Sequence, residues 1–240
     1  MNAEDHLEGS ASTVADVIEI ALPRFATAGY SKTKLEVIAR ESGMSKRMIH
    51  YHFGDKKGLY RAVLALAANR LIPPSSDMVI DSAVPVDGVR KIIDKLVVLH
   101  QTHPTELRLL VSESINPHGD LNDNPAVADF SALILHLSKL LIVGQDSGVF
   151  RPGISEHDIC VLITSLTLYP VAASQLVNNL IGLDLHSPEN QAGLHRLTVD
   201  AVLAFLTANI PNSTESSYFH IQLPDEDDDT AGIYGDDLDL

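Results

Sequence analysis

Four sets of side chains have types or spacing that could do chemistry. His100, His103 and Glu106 form an H-x-x-H-x-x-E pattern that on one continuous helix could ligate a metal ion. Pro104 interrupts such a helix, and no second cluster completes a catalytic site. His50 and His52 are two apart, so on a helix their side chains diverge by about 200° and cannot chelate together. Cys160 sits in an apolar run without an acid–base partner, and "SLTLY" lacks the glycines of a nucleophile elbow. Neither an enzyme nor a metal or other cofactor is expected from these patterns. The fourth set is different: "GMSKRMIHYHFGDKKGLY" brings Lys46, Arg47, Lys56 and Lys57 around aromatic residues and histidines. Cations interleaved with aromatics recognise anions.

The charge distribution sharpens that reading. The 240-residue chain has a formal charge of -15, yet residues 24–70 hold ten Lys/Arg against three Asp/Glu, +7. Residues 73–240 hold seven Lys/Arg against twenty-four Asp/Glu, -17. A basic N-terminal module on an acidic remainder points to an anionic partner for the module alone. Residues 211–240 carry nine acidic residues and no Lys or Arg, the composition of a solvated, disordered tail; a sharper reading has it compete with DNA for the basic module. The single cysteine excludes an internal disulfide. No apolar run approaching ~18 residues is evident by inspection, so a cytoplasmic location and no membrane partner are expected.

The elements that position the basic segment are helices. "STVADVIEIALPRFATAG" has apolar residues at helical spacing and ends at Gly29; Pro23 should disturb the helix, which Phe25 and Ala26 indicate resumes or continues with a kink. "TKLEVIARES" follows, with Thr33 as its expected N-cap and Gly43 as a left-handed stop. Ser45 caps a short helix to Phe53, and Asp55 caps a longer one. After Pro73-Pro74, helices are expected near 87–102, 104–115, 125–146, 156–181 and 189–209. The apolar surplus in the last two points to a dimer interface, with a thick monomeric core as the alternative. The fold class is all-α: a basic three-helix helix-turn-helix domain over 12–72, a larger helical domain over 87–210 with the expected dimer interface, and the tail over 211–240.

Two short helices joined through "SGMS" have helix-turn-helix spacing, which puts Lys46, Arg47 and Met48 on the first turn of a recognition helix. The stretch "TKLEVIARESGMSKRMIHYHFGDKKGLYRAVL" resembles the DNA-binding core of the tetracycline-repressor family. The shared features run from Thr33 through Ile38-Ala39, Gly43, Ser45-Lys46, Ile49, Phe53-Gly54 and Lys56 to Leu59-Tyr60. The resemblance covers roughly residues 12–70. It implies a homodimeric repressor on double-stranded DNA, released by a small-molecule effector. It also implies DNA contact from Thr33, Lys34, Lys46, Arg47, Met48, His50, Tyr51, His52 and Lys56. Arg47, Met48 and His50 depart from the family's common residues, so the operator cannot be borrowed. Arg47 could read guanine and Met48 a thymine methyl.

"HPTELRLLVSESINPHGDLN" and "TLYPVAASQLV" resemble the effector domain of RutR-type regulators. Polar residues within apolar helices are the pocket candidates: Arg108, Glu113, Asn116, His136, Tyr169, Gln175 and Asn179. The competing reading is a helical small-molecule or protein-binding module whose helix-turn-helix is vestigial. Salt-dependent DNA binding separates the two.

Overall fold

The structure, a computed structural model, describes residues 13–74, 84–119, 126–209 and 217–219. These form α1 (Val14–Lys32), α2 (Leu35–Ser42), α3 (Lys46–Phe53), α4 (Lys56–Leu71), α5 (Pro85–Thr102), α6 (Pro104–Ile115), α7 (Ala126–Asp146), α8 (Glu156–Ile181) and α9 (Pro188–Thr207). No strand occurs among the described residues, as the all-α reading requires. Local chemistry sets most boundaries. Thr13 with Asp16 and Ser155 with Asp158 make capping boxes, and the Ser45 and Asp55 side chains accept from Met48 N–H and Gly58 N–H.

The first helix runs on through Pro23 to a break at Gly29, one of the expected courses, and one expectation, for Thr33, needs correction. Pro23 lies inside α1, and the break falls at Gly29, whose φ of 76° is non-helical. A positive φ cannot continue a helix, and glycine adopts it without a steric penalty. Thr33 is the C-cap of α1, and Lys34, which makes no side-chain cap bond, precedes α2.

Apolar residues gather into two cores. The first packs Val17, Phe25, Ile38, Ile49, Leu59, Val63 and Leu64 from α1–α4, and Leu109 of α6 closes it. The second packs Ile92, Ile93, Leu133, Leu137, Leu141, Ile159, Ile163, Val202 and Leu206 from α5 and α7–α9. α6 thus belongs to the first core by its packing, although it follows α5 in the chain. Arg70 of α4 reinforces the seam, donating to Glu106 of α6 at 2.9 Å and also to Glu19 of α1.

α8 is long and apolar enough to cross a bilayer by length and composition alone, with a mean hydropathy of 1.6 over its best window, contrary to inspection of the sequence. Its buried residues Ile159, Ile163 and Thr167 face the second core, and most of the helix is left uncovered. The acidic tail lies outside the described residues except for 217–219. There the Ser217 hydroxyl and the Phe219 N–H donate to Asp158, and Arg151 donates to the Tyr218 hydroxyl at 2.8 Å.

Candidate nucleic-acid interface and effector cavity

α3 is short, and its placement depends on one residue. Ile49 is 0% exposed in the first core, and Phe53 packs beside it. At ~100° per residue, Arg47, Met48 and Tyr51 then fall within an arc of about 100° on the opposite face. All three are exposed, Tyr51 by 78%. Gly43, at φ 72°, makes the left-handed turn between α2 and α3. Gly58 permits a closer approach that sequence reading missed: a Cβ there would lie 1.9 Å from the Phe53 carbonyl oxygen. The spacing to Phe53 carries the only sequence signal, a glycine in the first turn of a helix that otherwise has no reason for one.

The remaining basic residues divide by what they already hold. Arg47 has no ion-pair partner among the described residues, and Lys34 is exposed beside the first turn of α2. Lys46 pairs with Glu36 across the α2–α3 turn, both side chains exposed. Such a pair contributes little to stability and opens at small cost. The Nδ1–H of His50 donates to the Gly54 carbonyl at 2.8 Å, leaving the other ring edge outward, and His52 is exposed against Tyr51.

Two expected DNA contacts are turned inward. Thr33 is 5% exposed and its hydroxyl donates to the Gly29 carbonyl at 2.8 Å, because α1 ends beside it. Lys56 donates to the Ser31 carbonyl at 3.2 Å and lies 4.5 Å from the Tyr30 ring centroid, and burial lowers its pKa. Both are placed to fasten the end of α1, Lys56 to the start of α4.

An apolar cavity of about 250 Å³ lies among α4, α5, α6, α7 and α8. Leu71, Leu96, Leu107, Leu133 and Ile163 wall it, with His100, Ser114, Cys160 and Thr164 as its polarisable or polar groups. None of the seven expected pocket residues lines it. Arg108, Asn116, Tyr169, Gln175 and Asn179 are exposed, and His136 is half-buried elsewhere on α7, where burial lowers its pKa. Glu113 is buried but occupied: it accepts from the Tyr60 hydroxyl at 2.8 Å and from the N–H groups of His118 and Gly119 at 2.9 and 2.6 Å. The H-x-x-H-x-x-E residues diverge as well. His103 turns to the Leu99 carbonyl, Glu106 holds Arg70, and His100 lies 2.8 Å from the Thr167 hydroxyl. Among the described residues no cluster of three metal-ligating side chains occurs.

Residues 17–63 match the model of bacterial regulatory proteins of the tetR family, and residues 85–202 match a tetracyclin repressor-like C-terminal domain. The chain belongs to the tetracycline-repressor family. Its relatives within that family are transcriptional regulators, not enzymes. The HTH-type transcriptional repressor SCO4008 of Streptomyces coelicolor is 27% identical over 171 residues, 71% of this chain and 84% of that protein. The HTH-type transcriptional regulator RutR of Escherichia coli is 29% identical over 160 residues, 67% and 74% of the two chains. The MbdR regulator from Azoarcus sp. CIB has the same fold, with a TM-score of 0.60 at 22% identity over 80% of this chain and 97% of that one. A tetR-family protein from Rhodococcus RHA1 superposes with a TM-score of 0.61 at 16% identity, over 80% and 95%. A tetracycline-repressor-family chain is a DNA-binding regulator, and α2–α3 is its helix-turn-helix.

Proposed function

We propose that this regulator is a cytoplasmic repressor that binds a two-fold-symmetric operator as a homodimer and leaves it when a small molecule fills the α4–α8 cavity. The observation that carries the DNA half is the division of α3. Ile49 anchors one face while Arg47, Met48 and Tyr51 stand clear on the other. Arg47 is suited to a bidentate contact with guanine and Met48 to a thymine methyl. Lys34 and Lys46, with the outward edges of His50 and His52, supply phosphate contacts that set register.

The dimer half rests on α8. Val161, Ser165, Tyr169, Ala172, Leu176 and Leu180 are exposed and fall within an arc of about 100°. Leu180 is 72% exposed. With Leu197 of α9 this stripe is the apolar surplus that a second copy would cover, which also accounts for the membrane-like hydropathy of α8. Two copies joined there would present two α3 helices, matched to half-sites about one turn of DNA apart, ~34 Å.

Effector control follows from the cavity walls. Ala68, Leu71 and Ile72 at the end of α4 form one side, and Asp55 and Lys56 at the start of the same helix abut α3. A ligand that displaces the end of α4 shifts the recognition helix. A coupling of ~1–3 kcal/mol changes operator affinity ~5–150-fold. Selection of bound duplexes from a random pool, followed by salt titration, tests the reading. A symmetric motif whose affinity falls steeply with salt is the expected result, and a folded dimer that enriches no duplex refutes it.

A further inference from the structure

The chemistry of the cavity restricts what fills it. Among the described residues no Lys, Arg, Asp or Glu lines it. Arg70, on the same helix as Ala68 and Leu71, is held by Glu19 and Glu106. A carboxylate or phosphate entering this space would therefore lose its water without gaining a cation, a cost that apolar contact does not recover. Cys160 does not supply a charge either, because burial pushes its thiol up to about 12.

The inner polar group is His100. Its Nδ1 lies 2.8 Å from the Thr167 hydroxyl, whose single proton has two acceptors in reach, that nitrogen and the Ile163 carbonyl at 3.0 Å. The ring also faces the main-chain carbonyl of Leu71, the last residue of α4. Burial keeps the imidazole neutral, so it serves as a hydrogen-bonding group and not as a cation. His100 also borders a second, smaller cavity of about 50 Å³ lined by Val97, Leu166, Pro170 and Leu194. The exposed lining residues Ser114, Phe130 and Thr164 mark the open side of the larger cavity, away from the leucines of its floor. At 250 Å³ the space lies below the ~300–1,000 Å³ of drug-sized pockets, which suits a compact molecule of about eight to fifteen non-hydrogen atoms.

We propose that the α4–α8 cavity takes a small uncharged molecule, an aromatic or branched aliphatic body with a single hydroxyl or carbonyl that hydrogen-bonds His100. This inference rests on the reading of that cavity as the effector site and specifies its ligand class. A ligand oxygen that accepts the imidazole N–H would sit against Leu71, the last residue of α4, which lines the cavity beside His100. Recognition would thereby act on the helix that carries the DNA-binding domain.

Three near-isosteric probes test the class on the full chain: 4-methylphenol, 1,4-dimethylbenzene and 4-methylbenzoate, followed by thermal shift and calorimetric titration. The phenol is expected to bind and raise Tm, the hydrocarbon to bind roughly three- to tenfold more weakly, and the benzoate to leave Tm unchanged. His100→Phe is expected to equalise phenol and hydrocarbon. Thr164→Phe, on the open side where folding is not at stake, is expected to weaken both. Benzoate binding as tight as phenol, or phenol binding untouched by both Thr164→Phe and Ala68→Phe, overturns the proposal. So does the failure of every probe in a protein that still binds DNA, which leaves the regulator reading intact. Probe binding with the expected pattern but no change in DNA affinity supports the ligand class and refutes the effector reading alone.

Discussion

Replacing Glu113 by alanine should loosen the joint between the two halves of the protein without touching the DNA-facing side of α3 or the α4–α8 cavity. The carboxylate accepts three hydrogen bonds, from Tyr60 of α4 at 2.8 Å and from the main chain of His118 and Gly119 at 2.9 and 2.6 Å. Tyr60 is 2% exposed, and burial, then Glu113 itself, raises its pKa, so its hydroxyl stays a donor at all accessible pH. Glu113→Ala strands that donor in a site water does not reach, at ~1–3 kcal/mol. The half-buried main-chain groups of the α6 end can be partly hydrated, so they add ~1–2 kcal/mol together. The expected loss is ~2–5 kcal/mol. Glu113→Gln keeps an acceptor for the two N–H groups and a donor for the phenol oxygen, so about 1 kcal/mol is expected there. Urea denaturation at one fixed protein concentration measures both, which matters for an associating chain. A loss under 1 kcal/mol for alanine, or equal losses for alanine and glutamine, would refute the assignment of Glu113 as a joint.

Arg47→Ala should cost operator affinity ~1–3 kcal/mol and relax selectivity at one base pair, read by selection on randomised duplexes. Lys34→Ala should weaken all sequences alike and lower the salt slope by about one, in fluorescence anisotropy titrations. Gly58→Ala should disrupt the α3–α4 junction, since its Cβ meets the Phe53 backbone carbonyl; DNA affinity should fall further than Tm, and an unaltered affinity would contradict the geometry. Burial of His100 lowers its pKa from 6.5 to about 4, so the unfolded chain binds the extra proton between those values. Stability from this group is complete above about pH 6.5 and is lost as pH falls toward 4, by up to roughly 3 kcal/mol; His100→Gln should flatten that part of the pH–stability curve. Leu176→Asp and Leu180→Asp should yield folded monomers in sedimentation velocity, with far weaker operator binding; a retained dimer would place the interface elsewhere.

Much of this molecule is written in local pattern. Gly43, Ser45 and Asp55 act through their own backbone neighbours, so the turn and both caps of the helix-turn-helix follow from residue type and spacing. The bounds of α6 and α8 are likewise set locally, by Pro104 and by the Ser155–Asp158 box. The exposed face of α3 follows too, because Ile49 is the one residue of its first turn that must be buried. What the chain order does not encode is which helices meet. α6 closes the core of the preceding four helices, so Glu113, a polar residue in an apolar helix, becomes a joint and not a pocket wall. Lys56 and Thr33 turn inward because the end of α1 lies beside them. The cavity was illegible for the same reason: its walls are leucines and isoleucines indistinguishable from core, and His100 faces it only because α4, α5 and α8 converge there. Periodicity and capping are properties of a segment, whereas a cavity and a joint are properties of the space between segments. Tertiary packing alone decided them.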